Sequence, residues 1–360
     1  MKNLVPLSSS SRSGANRLLT IWAGRYLPDT SLFLQSDHIS TADLTAASSL
    51  QGRTATAQKL KRHVYFYAKL AWLRTSELLS EDPNVANLAE IRFLAQFLSD
   101  VFETILEVYT WPQPPIPLIK SFEFNATTGS RSPAKGAVLT QDLPAIEQLA
   151  KTFHPVLEQL QQQHLLAKNP DILGFTTTQF HFSTEELLKR ITPAERILLS
   201  PYFQFTEEQI CIPWQQVCTA AYRYRSDSKI LHLAELILEH SGAIAHSVFQ
   251  RILKHYPAYA SRRGKLSLPA VQASVTRDIV MFLGYLVLCL LEDSMTSVEQ
   301  KLLPLCQTVF PRVAVSEVLV KDSLQFIVQE VQDRFPQEDL KFFLQYADKL
   351  QALFATLRKN

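Results

Sequence analysis

Apolar residues recur every three or four positions along most of this chain, which is the spacing of one buried face of an α-helix. The first two such segments are Leu60–Ala71 and Ile91–Ile105, and the dipeptide Asp82-Pro83 separates them. We expect the two segments to form an antiparallel helical hairpin. The pattern returns over about Pro144–Ala167, where Pro155 predicts a kink.

A polar, proline-rich stretch over 111–137 interrupts the helical pattern. Its first part is rich in proline and its second part in Ser, Thr, Gly and basic residues. We therefore expect a long exposed loop, with Leu118–Phe124 as a short strand inside it. The start of the chain, 1–16, lacks an apolar run of signal-peptide length and is predicted to be a disordered leader.

Three capping-box patterns follow one another after Pro170. Each places a Ser or Thr three residues before a Glu or Gln, which is typical of a helix N-terminus. The pairs are Ser183 with Glu186, Thr192 with Glu195, and Thr206 with Gln209. We expect three short helices to begin at these positions, the third of them ended by Pro213.

The rest of the chain predicts longer helices, bounded by capping residues and prolines. They are expected at Ser228–Tyr256, about Pro269–Leu291, Ser297–Phe310, Ser316–Arg334 and Glu338–Leu357. The sequence therefore predicts an all-α protein in two parts. An N-terminal helical domain, 17–170, precedes a second helical domain without strands, 171–360.

The most apolar stretch of the chain, Ile279–Leu291, directly follows the charged pair Arg277-Asp278. Charge beside apolar surface is costly unless a partner, a ligand or water satisfies it, so the pair predicts either a helix entrance or a pocket. As a helix, the apolar run would extend about 20 Å, against about 30 Å for a bilayer core. We interpret it as a buried core helix rather than a transmembrane segment.

Composition narrows the classes of function. The 360 residues include nine glycines, and 36 basic and 34 acidic residues leave a net charge of +2. Low glycine content disfavours phosphate-binding loops, and so small a net charge gives no global field for nucleic acid. The four cysteines include no Cys-x-x-Cys pair, which fits a reducing cytoplasm. Partners are therefore expected to be proteins or small molecules.

Three short stretches in the C-terminal half resemble the phycobiliprotein branch of the globin fold. They are Leu231–Glu235, Thr276–Ile279 and Asp339–Tyr346, set in a similar order of helices. The resemblance covers roughly Ala194–Leu357. It implies a globin-like, phycobiliprotein-like fold for the second domain, a cyanobacterial or plastid setting and a non-catalytic role.

In that family a Cys-x-Arg-Asp motif holds a linear tetrapyrrole, a bilin. By position, the resemblance implies that Arg277 pairs with a propionate and that Asp278 accepts hydrogen bonds from pyrrole nitrogens. Val275 stands where the family's thioether-forming cysteine is expected, which excludes covalent attachment at this place. Val275, Asp278 and Phe282 share one helix face, and Phe282 or Tyr285 is the expected wall of a noncovalent bilin slot. The alternative is that Arg277 and Asp278 form a solvated or interhelical ion pair.

Other chemistries find less support in the sequence. Ser297–Phe310 has no histidine to act as a proximal haem ligand, although Cys306 is a formal thiolate candidate. His232, Glu235 and Glu239 lie at helical spacing, but a solvated helix face explains them better than a metal site. No Gly-x-Ser-x-Gly elbow or paired nucleophile and base is recognisable, so neither catalytic nor metal-ligating residues are predicted.

Aromatic and basic residues leave two interpretations open. Six aromatic residues cluster at the start of the globin-like region: Tyr202, Phe203, Phe205, Trp214, Tyr222 and Tyr224. They are expected either at an interface with another subunit or in packing against the N-terminal domain. The basic segment Ser261–Lys265 is interpreted as an exposed loop that is solvated or docks on an acidic protein.

Two roles follow from these expectations. The first is a non-catalytic accessory or assembly protein of the light-harvesting apparatus. It would dock on phycobilisome or photosystem components, in the cytoplasm or at the periphery of the thylakoid membrane, without a covalent bilin. The second is a sensor or carrier that binds a noncovalent bilin or another tetrapyrrole around Arg277 and Asp278.

Overall fold

The computed structural model of this chain is mostly helical over the residues that it describes, so the predicted all-α class is confirmed. It describes residues 17–26, 28, 40–79, 88–112, 116–117, 122–125, 130–133, 140–141, 143–153, 156 and 172–355. The described helices are α1 (17–23), α2 (Thr41–Ser48), α3 (Leu50–Lys61), α4 (Val64–Leu79), α5 (Leu88–Tyr109), α6 (146–153), α7 (Ile172–Leu188), α8 (Pro193–Cys211), α9 (Trp214–Ala221), α10 (Lys229–His255), α11 (Pro269–Glu292), α12 (Leu303–Arg312), α13 (Glu317–Arg334) and α14 (Gln337–Ala355). A π-helical turn, Val298–Leu302, precedes α12.

The long C-terminal helices begin and end close to their predicted bounds. Ser228 caps α10 by accepting a hydrogen bond from the N–H of Leu231, and Ser316 caps α13 in the same way. The predicted pairing of two early helical segments is confirmed, since α4 and α5 pack on each other. The break between α3 and α4 at Arg62-His63 was not predicted, because no proline or glycine marks it.

Of the three predicted capping boxes, the pair Thr192 and Glu195 caps a helix. The Thr192 hydroxyl accepts from the Glu195 N–H at 3.3 Å, and the Glu195 carboxylate accepts from the Thr192 N–H at 2.7 Å. Ser183 and Thr206 instead lie inside α7 and α8, so the helix starts predicted there are wrong. Their buried hydroxyls donate to the carbonyl four residues earlier, at 2.8 and 3.0 Å, a bond that Ser and Thr make inside helices.

Short antiparallel strand pairs occur within the described residues. The pairs are β1 (Ile116–Pro117) with β4 (Thr140–Gln141), β2 (Phe122–Asn125) with β3 (Ser130–Pro133), and β5 (Ala260–Ser261) with β6 (Gly264–Lys265). The strand predicted at Leu118–Phe124 is confirmed in part by β2. The prediction of a second region without strands is wrong, because β5 and β6 form a hairpin. Gly264 has a φ of 119° there, a conformation that residues with a Cβ rarely adopt.

Several predictions fall outside the described residues. These are the leader 1–16, the break at Asp82-Pro83, much of the loop 111–137, and the helix beyond 156 with its kink at Pro155. The division of the chain into two domains near 170 stays a prediction.

The hydrophobic core centres on α11. It extends from Leu18 in α1 to Phe354 in α14, and every residue of Ile279–Leu291 is buried. α11 packs against α9, α10 and α14. Among the described helices it is the one long and apolar enough to cross a membrane, although most of it lies inside the protein. The interpretation as a buried core helix is confirmed.

Most of the aromatic cluster packs inside the molecule. Trp214 stacks on Trp22 of α1 with ring centroids 6.1 Å apart, and the ring centroid of Phe205 lies 5.2 Å from that of Trp22. Tyr202 meets Tyr109 of α5 edge-on at 5.1 Å. The interface interpretation is therefore wrong for these buried rings, because they join the globin-like region to the N-terminal helices.

Candidate functional site

A cleft of about 140 Å³ lies where the buried part of α11 begins. Its walls come mainly from α7, α8, the β5–β6 hairpin, α11, α12 and α13. Most of the lining is apolar and includes Val275, Phe282, Cys306 and Val309. The polar lining includes a connected group formed by Arg263, Ser274, Arg277 and Asp278. The cleft is therefore amphipathic.

Arg277 joins two helices through an ion pair with Glu207 of α8. Arg277 also donates to Ser274 Oγ at 3.3 Å and to Asp278 Oδ1 at 3.4 Å. The interhelical ion-pair alternative is confirmed for Arg277, whereas Asp278 pairs with Arg277 of its own helix. The helix-entrance interpretation is wrong, because α11 begins at Pro269, roughly two turns earlier.

His181 of α7 extends this network. Its Nδ1 lies 3.0 Å from Glu207 Oε1, and Arg263 Nη2 donates to its Nε2 at 2.7 Å. A guanidinium only donates, so the ring is neutral in this arrangement and its Nδ1–H donates to Glu207. Glu185 Oε1 lies 3.4 Å from Nε2 and is the acceptor available to Nε2–H when the ring is protonated. Protonation of His181 would therefore replace the hydrogen bond from Arg263 to Nε2 with a hydrogen bond from Nε2–H to Glu185.

Burial and pairing set the ionisation of these groups. Burial raises the pKa of Glu207, but the hydrogen bond from His181 and the charge of Arg277 bring it below its ordinary value. Burial also raises the pKa of Asp278, and the nearby Arg277 charge lowers it too little to compensate. Burial lowers the pKa of His181, but hydrogen bonds to Glu185 and Glu207 outweigh this and raise it overall. Glu207 is thus firmly charged, whereas the charged form of Asp278 is disfavoured.

The cleft includes most of the residues predicted from the sequence. Val275, Arg277, Asp278 and Phe282 line it. Tyr285 is 3% exposed and lies in the core beyond Phe282, outside the cleft lining, so its expected contribution to the wall is not observed.

Three residues of the network were missed by sequence reasoning. Glu207 and His181 lie about 70 and 96 positions before Arg277, and no local motif connects them with it. Arg263 was expected in an exposed loop, which is wrong, since the β5–β6 hairpin turns its side chain into the cleft. Gly264, which adopts a positive φ there, is the sequence signal that could have indicated a tight turn at this position.

Replacing Asp278 with Asn should stabilise the protein at neutral pH by roughly 1 kcal/mol, typical of a buried polar group. The native pKa of Asp278 is raised, so stability falls as pH rises from the unfolded value, about 4, through the native value. Asn does not ionise, so the variant does not lose stability in this way as pH rises. Urea unfolding should therefore show the gain at pH 7.5 and its disappearance near pH 3.5.

Asp227 supplies the matched control, because its carboxylate is exposed and its pKa is lowered by Arg225. Asp227→Asn should give no gain at pH 7.5. An Asp278→Asn protein that is no more stable than the wild type at pH 7.5 would contradict the expectation.

The cleft does not fit a bilin in this arrangement. A cavity of about 150 Å³ holds benzene, and ligand sites usually reach about 300–1,000 Å³, so a four-ring tetrapyrrole exceeds the space of about 140 Å³. Arg277 is engaged by Glu207 rather than left for a propionate. Burial raises the pKa of the lining thiol of Cys211 to about 12, and this suppresses the thiolate that a thioether bond needs. The bilin slot stays a prediction, with this geometry against it.

The second candidate face, on α10, is only partly solvated. His232 and Glu239 are exposed, whereas Glu235 is buried and accepts from Arg17 Nε at 3.1 Å. The solvated-face interpretation is therefore wrong for Glu235, which ties α1 to α10. Within the described ranges, no group of three His, Cys, Asp or Glu side chains is placed to hold a metal ion.

The C-terminal region is a set of packed helices, and comparison with known families specifies its class. Residues 213–353 match the family described as phycobilisome protein. The resemblance is thereby confirmed, and this region is a phycobiliprotein-like helical domain. No curated protein and no solved structure matches the chain. The matched stretch contains Val275, Arg277 and Asp278, whereas Glu207 and His181 lie before it.

Proposed function

We propose that this protein is a non-catalytic accessory or assembly factor of the light-harvesting apparatus in a cyanobacterium or plastid. It docks on phycobilisome or photosystem components without a covalent bilin, in the cytoplasm or at the periphery of the thylakoid membrane. One observation carries this proposal. The region that matches the phycobilisome protein family carries Val275 where the resemblance places the attachment cysteine, and its Arg277 is paired with Glu207 from outside the matched stretch.

The N-terminal helices support a docking role by occupying one face of the domain. In the family that this domain resembles, helices at the start of the domain pair subunits. Here Trp214 at that position is 1% exposed and is covered by Trp22 of α1. A partner is therefore expected to bind a different surface.

An exposed face of α4 is the surface that we propose for docking. This α4 face consists of Tyr65, Phe66, Lys69 and Leu73, and its Phe66 and Leu73 side chains are 61% and 60% exposed. The Lys69 ammonium lies 4.4 Å from the centroid of the Tyr65 ring. Clustered exposed apolar groups mark interaction sites, and the adjacent, exposed Lys61-Arg62 favours an acidic partner through charge complementarity.

Co-purification from a cyanobacterial extract tests this role. The tagged full-length chain should retain phycobilisome or photosystem subunits, and Phe66→Asp or Leu73→Asp should reduce retention at least about tenfold, because a charge is placed in an apolar contact. Phe342→Asp is the matched control, since Phe342 on α14 is 50% exposed and lies outside the α4 face. Absence of both kinds of subunit, or equal loss in the control, would contradict the docking role proposed here.

The rival role as a noncovalent bilin carrier has its own readout. We expect the protein from a biliverdin-producing host to be colourless. A visible absorption band that disappears in Asp278→Ala would support the carrier in place of the docking factor.

A further inference from the structure

Arg263 is a cation whose described partners are all neutral. Its guanidinium donates to His181 Nε2 at 2.7 Å and to Ser274 Oγ at 3.4 Å, and it lies 5.9 Å from the centroid of the Phe182 ring. Among the described residues no carboxylate lies within ion-pair distance of it. Burial and the nearby Arg277 charge lower the pKa of Arg263. The charges of Glu185, Asp278 and Glu207 favour its cationic form from a longer distance. A direct charge-assisted hydrogen bond to an anion is therefore the contact that Arg263 lacks among the described residues.

Arg263 and Arg277 converge on one hydroxyl. Both guanidinium groups donate to Ser274 Oγ, at 3.4 and 3.3 Å, and all three side chains line the cleft. Arg277 Nε is buried and has no hydrogen-bond partner within the described part of the chain. The two guanidinium charges repel each other at this distance, and an anion between them would attract both and offset the repulsion. Glu207 partly fulfils this need for Arg277 but does not contact Arg263.

The rest of the cleft sets the shape of that anion. Beyond the two guanidinium groups the lining includes Val275, Phe282 and Val309, which favour an apolar body. The volume of about 140 Å³ is close to the roughly 150 Å³ that holds benzene. A body of about six to eight heavy atoms matches this space.

We propose that the cleft binds a small carboxylate with an apolar body, of the size of benzoate or hexanoate. The carboxylate lies beside Ser274, between Arg263 and Arg277, and the body packs on Phe282 and Val309. Asp278 at the same end opposes the ligand charge and limits the affinity. The site goes beyond the docking role and does not depend on it.

Calorimetric titration of the full-length protein with benzoate and hexanoate, and with benzyl alcohol and hexanol as neutral counterparts, tests the site. Each carboxylate should bind the wild type at least about tenfold more tightly than its alcohol, as expected for charge-assisted hydrogen bonds. Arg263→Gln should remove this difference. Asp278→Asn should strengthen carboxylate binding, because a repelling charge is lost.

Two further variants separate this site from nonspecific effects. Arg262→Gln removes the adjacent, exposed arginine of the same hairpin and should leave binding unchanged. Val309→Phe should weaken binding of acids and alcohols alike, because it fills the apolar part of the cleft. Circular dichroism establishes that each variant is folded. If Arg263→Gln does not fold, Arg263→Lys takes its place. Lysine lacks the bidentate fork of arginine, so this variant should bind carboxylate more weakly than the wild type.

Several results would overturn the proposal. They are the absence of carboxylate binding, equal binding of acid and alcohol by the wild type, or undiminished carboxylate binding when Arg263 is replaced. Stoichiometric biliverdin binding that Val309→Phe prevents would assign the cleft to a larger ligand. Retention of antenna subunits without carboxylate binding would refute this site and leave the docking role intact.

Discussion

Glu207→Gln should lower the free energy of unfolding by about 3–5 kcal/mol, the range for breaking one side of a buried ion pair. Glu207 links Arg277 of α11 and His181 of α7 to α8. Gln keeps the size of the side chain but removes the charge, so Arg277 retains only the 3.4 Å contact with Asp278 as an ion pair. The midpoint of urea unfolding at pH 7.5 measures this loss.

The pH dependence gives an independent check on the same variant. The native pKa of Glu207 is lowered, so its contribution to stability is present above the unfolded pKa and is lost as pH falls through the native value. The difference between wild type and Glu207→Gln should therefore shrink as pH falls below about 4. A constant difference from pH 7.5 to pH 3 would mean that charge is not the cause.

Two controls assign the effect to the uncompensated arginine. Glu185→Gln removes a carboxylate that lies 3.4 Å from His181 and is one-third exposed, and it should cost less than about 1 kcal/mol. The double variant Glu207→Leu with Arg277→Met replaces the whole pair by apolar groups and should recover most of the lost stability. A double variant less stable than Glu207→Gln would contradict this account.

Arg53→Met should destabilise the protein by about 3 kcal/mol, because several charge-assisted hydrogen bonds are lost at once. Arg53 is 0% exposed. Its guanidinium donates to the backbone carbonyls of Ser48, Tyr109 and Trp111. Tyr109 is the last residue of α5, so Arg53 also places a positive charge at the negative end of that helix. Chemical unfolding monitored by circular dichroism measures the loss.

Arg62→Met is the matched control for this variant. Arg62 follows the end of α3 and is exposed, so its replacement should change stability by no more than about 0.5 kcal/mol. Arg53→Lys should remain well below wild-type stability, because an ammonium cannot reproduce the planar, multidentate contact. Equal losses in Arg53→Met and Arg62→Met would show that burial of the guanidinium is irrelevant.

Helix positions were predictable where the local signal agreed with the tertiary structure. Ser228 and Ser316 mark the starts of α10 and α13 because their side chains meet free N–H groups of the first turn. Ser183 and Thr206 carry the same local pattern, yet their hydroxyls are buried and bond to the preceding turn. A capping motif shows that a Ser or Thr hydroxyl is able to accept from a first-turn N–H. Whether the hydroxyl makes that bond or donates to a carbonyl of the preceding turn depends on the surrounding packing.

The candidate site was predictable only on one helix. The charged pair Arg277-Asp278 beside an apolar run indicated a pocket, because uncompensated charge there is costly. The sequence could not indicate that Glu207 neutralises Arg277, since the two residues are 70 positions apart. It also could not place Arg263 in the cleft, because its orientation depends on how the β5–β6 hairpin packs.

The sequence by itself determined the helical class, the bounds of the long helices and the phycobiliprotein-like character of the C-terminal region. These features depend on periodicity and short motifs, which are local along the chain. The tertiary structure alone decided the pairing of Arg277 with Glu207, the burial of Trp214 under α1 and the neutral hydrogen-bond partners of Arg263. Electrostatic and packing free energies depend on distances in space, and those distances are fixed only when helices far apart in sequence pack together.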